Sequence, residues 1–89
     1  MGIPVIKRPE ITMIKVDSSQ LESIGHHPET NTLAVKFPAN SRQPHGSLYH
    51  YQNFTRDDYL AFMTAESKGS HFKKFIRNEV VKHPYEQIH

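Results

Sequence analysis

The chain has 89 residues, of which 36% are hydrophobic and 22% charged, and its formal net charge is +2. This size fits one small domain, since domains usually contain roughly 100–150 residues. The absence of cysteine excludes disulfides, zinc–thiolate sites, iron–sulfur clusters and cysteine nucleophiles. No run approaches the roughly 18 consecutive apolar residues of a membrane span, and no signal peptide is apparent. We therefore expect a cytoplasmic protein without membrane contact.

The first half of the chain carries strand patterns. Residues 1–10 contain two prolines and a basic pair, which predicts an extended arm before a single domain over residues 11–89. Alternation of β-branched and polar residues predicts a first strand over residues 11–16. Leu21 and Ile24 lie three residues apart, so the next strand must contain a bulge or follow a turn.

Two further strands follow a turn-rich segment. Leu33, Val35 and Phe37 alternate with smaller or polar residues, which predicts a half-buried strand that forms a hairpin with the strand before it. Residues 47–53 alternate again, so Tyr49 and Tyr51 share one face. We expect these two strands to pair antiparallel across the loop of residues 38–46.

After Phe54 the apolar spacing becomes helical. Thr55 is the predicted N-cap of a first helix, and Asp58 completes a capping box. Residues 67–69 are expected to end this helix, with Gly69 in a left-handed conformation. Its apolar face comprises Tyr59, Leu60, Phe62 and Met63.

A second helix is predicted to begin with Ser70 as its N-cap and to end before Pro84, with residues 85–89 as a short tail. Its expected buried stripe comprises Phe72, Phe75, Ile76, Glu79 and Val80. Strands followed by helices predict an α+β domain. We expect a small antiparallel sheet of three to four strands, followed by two short helices packed on one face.

Several segments between residues 17 and 88 carry a family resemblance. They are Ser18-Ser19, Ile24-Gly25, Pro28-Glu29-Thr30 before Leu33, Gly46-Ser47 before Tyr49-His50-Tyr51, and Ala65-Glu66-Ser67-Lys68-Gly69-Ser70-His71-Phe72 continuing to Ile76-Arg77. In this combination they resemble the KTSC domain, a small bacterial and phage family that also occurs at the C-terminus of some lysyl-tRNA synthetases. The resemblance implies a small α+β fold and no established reaction. It suggests RNA binding as the role, because of the synthetase context.

Basic residues cluster in the second predicted helix. Lys68, Lys73, Lys74 and Arg77 lie in a segment without acidic residues. Lys73 and Arg77 are four residues apart and so share a helical face. Such a cluster can contact a phosphate backbone, since lysine and arginine neutralise phosphates whatever the base sequence. The alternative is the ordinary solvated face of an amphipathic helix.

Tyr49 and Tyr51 are the aromatic candidates for a nucleic-acid site. Exposed on a sheet face, they would stack unpaired bases. The alternative places both rings in the core with their hydroxyls at its edge.

Metal and catalytic sites are not expected. Seven histidines are present, but a metal site needs three or four converging ligands, and neither predicted helix contains a His-x-x-x-His pair. No serine lies in a recognisable nucleophile elbow, and no paired-carboxylate site is apparent. We therefore expect no cofactor and no enzymatic activity.

Two hypotheses of function follow. The first is a binding module for nucleic acid, RNA in particular, in which Lys68, Lys73, Lys74 and Arg77 contact phosphates and Tyr49 and Tyr51 stack bases. The second is a protein-interaction module, such as a phage-encoded modulator of a host nucleic-acid enzyme or defence complex. Its contact surfaces would be the loop of residues 38–45 and the N-terminal arm.

Overall fold

The structure is a computed structural model that describes residues 9–88. Five antiparallel strands form one sheet in chain order, and the helical segments lie between the fourth and fifth strands. The strands are β1 (Ile14–Lys15), β2 (Ser23–His27), β3 (Thr32–Phe37), β4 (Ser47–Tyr51) and β5 (Tyr85–Ile88). The helices are α1 (Arg56–Thr64) and α2 (Lys68–Phe72), and α2 continues directly into a π-helical segment, Lys73–Arg77. The α+β prediction is confirmed.

The predicted hairpins are also confirmed. β2 pairs antiparallel with β3, and β3 pairs antiparallel with β4 across the loop of residues 38–46. Val35 lies opposite Tyr49, and Leu33 lies opposite Tyr51. Because side chains alternate along a strand, these residues occupy one face of the sheet, on which the helices pack. The core on this face comprises Leu21, Ile24, Leu33, Val35, Tyr51, Phe54, Phe62, Phe72 and Ile76.

The sheet has five strands rather than three to four, because the predicted tail is a strand. Tyr85 lies opposite Tyr51 in the β4–β5 register. His83 is 2% exposed, and its Nδ1–H donates to the Gln52 carbonyl over 3.1 Å. The Gln52 N–H in turn donates to the Pro84 carbonyl over 2.8 Å. These contacts hold the returning chain beside β4.

The first strand is shorter than the predicted span of residues 11–16. Only Ile14 and Lys15 pair with β2. The residues before them cross Gly25, where a Cβ atom would collide with the backbone oxygen of Thr12 and the side chain of Ile11. Glycine at this position therefore lets Ile11 and Thr12 pack closely against the sheet.

The capping box of α1 is present as predicted. The Thr55 N–H donates to Asp58 Oδ2 over 3.0 Å, and the Asp58 N–H donates to Thr55 Oγ1 over 3.1 Å. Phe62 is buried, whereas Leu60 is 52% exposed and does not belong to the buried face. The helix ends at Thr64, with Ala65 as its C-cap, before residues 67–69.

The second helix differs from its prediction at both ends. Ser67 is the N-cap, since its Oγ accepts a hydrogen bond from the Ser70 N–H over 3.3 Å. Gly69 therefore lies within the first turn, where its lack of a side chain admits Gln20. The helical segment ends at Arg77, well before Pro84.

The π-helical hydrogen bonds also change which side chains are buried. Phe72 and Ile76 belong to the core, as the stripe predicted. Phe75 and Val80 are about half exposed, and Glu79 is exposed. The wider turn of i→i+5 hydrogen bonds breaks the 3.6-residue period at Phe75, whereas Glu79 and Val80 lie beyond Arg77, where the helical segment has already ended.

Candidate functional site

An open groove lies where the sheet extends beyond its helical cover at β4 and β5. We call it the aromatic groove, and its volume is about 500 Å³. β4 and β5 supply one side, and the second helical segment supplies the other. The lining residues are Phe37, Asn40, Ser47, Tyr49, Tyr51, Phe72, Arg77, Val80 and Tyr85.

Strand register brings three tyrosines together in the groove. Tyr49 and Tyr51 alternate along β4, and Tyr85 lies directly opposite Tyr51 on β5. The Tyr85 ring centroid lies 5.8 Å from those of both Tyr49 and Tyr51. The three rings therefore form a continuous aromatic surface.

The tyrosines differ in exposure. Tyr51 is 5% exposed and its ring contacts Phe72, so its ring belongs to the core. Tyr49 is half-buried, and Tyr85 is 57% exposed. Tyr49 and Tyr51 do not form an exposed platform by themselves. They form the floor of a concave surface, and Tyr85 forms a wall of it.

Burial raises the pKa of the Tyr51 hydroxyl well above its usual value, and the neighbouring Tyr49 and Tyr85 hydroxyls raise it further. The positive charge of Arg77 acts in the opposite direction. The net effect keeps Tyr51 protonated into the alkaline range, so its hydroxyl can both donate and accept a hydrogen bond there.

Arg77 supplies the positive charge of the groove. Among the described residues that line the groove, it is the only one with a charged side chain. Lys73 lies beside it, since both residues line a smaller adjoining cavity that also contacts Phe37 and Phe72. The structure thus places Lys73 and Arg77 together at the aromatic surface.

The other two basic residues lie elsewhere. Lys74 Nζ is 5.2 Å from the centroid of the Phe75 ring, at a separate cation–π contact. Lys68 lies in the first turn of α2 and does not line the groove. The structure therefore groups Tyr49, Tyr51 and Arg77 directly, with Lys73 adjacent.

Sequence reasoning missed several groove residues. Tyr85 belongs to the predicted tail of residues 85–89, because these residues carry no local sign of pairing with β4. Asn40 lies in the β3–β4 loop, where its Oδ1 accepts hydrogen bonds from the N–H groups of Arg42 and Gln43, each over 2.8 Å. An asparagine in a loop favours such a turn, because its side chain can bond to backbone N–H groups two or three residues later.

Several of the described histidines have structural contacts. The His26 Nε2–H donates to the Phe54 carbonyl over 2.6 Å, and its ring stacks on Tyr59. Burial lowers the pKa of His71, whose ring stacks on Phe62. Within residues 9–88, no group of three or more histidine, aspartate or glutamate residues is arranged to hold a metal ion. In the same range, no helix is long and apolar enough to cross a membrane.

Comparison with known proteins gives consistent matches. The KTSC domain model matches residues 17–79. An uncharacterized protein from Stutzerimonas stutzeri (strain A1501) is 31% identical over 64 residues, which are 72% of this chain and 82% of that protein. The crystal structure of a KTSC domain protein from Yersinia pestis superposes with a TM-score of 0.75 at 26% identity, and the match covers 90% of this chain and 100% of that one. The chain therefore belongs to the KTSC domain family.

Proposed function

We propose that this KTSC domain is a non-enzymatic binding module for nucleic acid, with single-stranded RNA as its ligand. The observation that carries the proposal is the position of Arg77 and Lys73 at the edge of an aromatic groove. Single-stranded nucleic acids are held by this combination, in which cations contact the phosphates and aromatic rings contact the bases.

The charge distribution supports a polyanionic ligand. The net charge of the chain is only +2, so its overall field is weak. Locally, however, no acidic side chain is found among the described residues that line the groove or the adjoining cavity. Lys73 and Arg77 are both exposed, so their charged groups are accessible to a phosphate backbone.

The composition of the groove supports binding rather than catalysis. Its described lining contains no carboxylate and no imidazole. These groups supply most general acid–base catalysis near neutral pH. The raised pKa of the Tyr51 hydroxyl makes it a poor general base, because burial disfavours the phenolate. Arg77, Asn40 and Ser47 are suited to hold and orient a ligand.

A protein partner is the second candidate. Residues 38–45 are all exposed, and the turn after the π-helical segment presents Val81, which is 93% exposed. Val80 beside it is 52% exposed, and neighbouring exposed apolar side chains of this kind mark protein interaction sites when they form a continuous patch. A phage-encoded modulator that contacts a host protein would use these surfaces rather than Lys73 and Arg77.

A charge-reversal experiment tests the proposal. Fluorescence anisotropy would measure the binding of a labelled short single-stranded RNA at low and near-physiological salt. We expect salt-dependent binding by the unchanged protein, and we expect its loss in the variant K73E/R77E. The salt dependence should also decrease, because fewer counterions are released when phosphate contacts are removed.

The matched control is the variant K15E/K74E. It changes the formal net charge by the same amount, but Lys15 lies on β1 at the far edge of the sheet and Lys74 lies against Phe75. This control should bind RNA much more strongly than K73E/R77E. Equal losses in the two variants would reject a local site, and absence of binding at low salt would reject the proposal itself. In that case a partner retained from nuclease-treated lysate would favour the protein-interaction candidate.

A further inference from the structure

We infer that the aromatic groove binds one unpaired nucleobase of the RNA, while Arg77 contacts a phosphate attached to that nucleotide. This inference rests on the proposed function and assigns a defined ligand to one part of the surface. A groove of about 500 Å³ is within the usual range for small-ligand sites, roughly 300–1,000 Å³. The groove is therefore large enough for one nucleotide.

The shape of the surface supports one base. Tyr51 and Phe72 are almost completely buried and contact each other with ring centroids 5.5 Å apart, which fixes the floor. The ring centroids of Tyr49 and Phe37 lie 5.6 Å apart, and this pair extends the floor toward the β3–β4 loop. Tyr85 is exposed over more than half of its surface and is the ring most accessible for stacking.

The charge of the groove restricts the class of ligand. Clustered aromatic rings can also bind quaternary ammonium groups through cation–π contacts. Here Arg77 lines the same groove and its charge acts on the Tyr51 hydroxyl, so it would repel a second cation. The combination instead favours a planar ring that carries a negative group, which describes a nucleotide.

Polar groups in the same groove can contact the edge of a base. Asn40 and Ser47 come from the β3–β4 loop and the start of β4. The loop is held in shape because the Asn40 Oδ1 already accepts two backbone hydrogen bonds. Amide and hydroxyl groups bind the edges of unstacked bases in RNA-binding domains.

The test compares two short oligonucleotides that carry the same number of phosphates. One is an ordinary single-stranded RNA, and the other has abasic sugars at every position. We expect the unchanged protein to bind the abasic strand about tenfold more weakly, since the stacking of a base on the aromatic side chains is lost. The variant Y85L should bind both strands with the affinity that the unchanged protein has for the abasic strand.

A conservative variant separates stacking from folding. Y85F keeps the ring and should restore discrimination between the two strands, whereas Y85L removes the ring but keeps apolar volume. Thermal unfolding of each variant checks that β5 remains in place. Equal binding of both strands by the unchanged protein would overturn the inference. If the unchanged protein binds both strands equally and K73E/R77E abolishes this binding, the proposed nucleic-acid binding is retained but the groove does not hold a base.

Small probes identify the source of the ligand. Free adenosine 5′-monophosphate should compete with the RNA weakly and should lose this effect in R77Q, because Arg77 contacts its phosphate. Trimethyllysine should not compete with RNA at the groove. Competition by trimethyllysine and not by the nucleotide would overturn the inference in favour of a methylated peptide.

Discussion

Tyr51 contributes to both the core and the groove. Its ring packs against Phe72, whereas the pKa of its hydroxyl depends on Tyr49, Tyr85 and Arg77. A core residue with a polar end directed toward charged and aromatic neighbours is typical of tyrosine. Alternation along β4 predicted that Tyr49 and Tyr51 share a face. It could not predict their exposure, because the cover over that face comes from residues more than twenty positions later in the chain.

The raised pKa of Tyr51 predicts reduced stability at alkaline pH. In the unfolded chain this hydroxyl loses its proton at about pH 10. In the folded chain it keeps the proton to higher pH because burial disfavours the phenolate. The folded state therefore binds more protons above about pH 10, so the free energy of unfolding falls as pH rises through this range.

Urea unfolding at several alkaline pH values measures this slope. The variant Y51F removes the ionisable group and should show a shallower decrease than the unchanged protein. Y85F tests the coupling, since it removes one of the hydroxyls that raise the pKa of Tyr51, and its decrease should lie between those of the unchanged protein and Y51F. Identical slopes for Y51F and the unchanged protein would contradict the assignment of the effect to Tyr51.

The elements that could be predicted are those with local signals. The capping box of α1 lies within four consecutive residues, and the β2–β3 hairpin follows from alternation around a turn-rich segment. The second helix was predicted less well, because Ser67 and Ser70 are both acceptable N-caps and the sequence carries no known signal for a π-helical segment. β5 was missed because a strand of four residues is stabilised by its neighbour rather than by its own pattern.

The position of β5 depends on His83, and a substitution there tests the dependence. The variant H83A removes the buried donor to the Gln52 carbonyl. Loss of a buried partner usually costs about 1–3 kcal/mol. We expect a decrease of that size in the free energy of unfolding, measured by urea denaturation, together with faster hydrogen exchange of the β5 amides.

The matched control is H27A. His27 forms a hydrogen bond with the Thr30 hydroxyl in the exposed β2–β3 turn, and β5 does not pair with β2. Its replacement should change stability only slightly and leave exchange in β5 unaltered. If H83A and H27A have equal effects on stability and exchange, His83 does not hold β5 in place.

At the scale of the whole molecule, the two faces of the sheet have different environments. One face contacts the helices and opens into the aromatic groove. The other contacts residues 9–13, which lie near Ala34, Leu48 and His50. The predicted N-terminal arm extends over residues 1–10, and of these the structure describes only Pro9 and Glu10, which line a cavity on that second face.

The candidate site could be predicted only in part, because tertiary contacts determine which of its residues meet. Tyr49, Tyr51, Lys73 and Arg77 were found from local patterns, but their proximity depends on how the second helical segment crosses the sheet. Lys68 and Lys74 belong to the same run of basic residues, yet they lie outside the groove. Local patterns thus identify the candidate residue types, whereas the tertiary fold determines which of them lie close together.

The most direct test of nucleic-acid binding at the aromatic groove is an NMR titration of the unchanged protein with short single-stranded RNA at low salt. The amide chemical shifts report contacts along the chain without any substitution. We predict that the largest changes occur at Tyr49, Lys73, Arg77 and Tyr85. Changes confined to the Lys74–Phe75 contact or to the second face of the sheet would contradict the account, as would an unchanged spectrum.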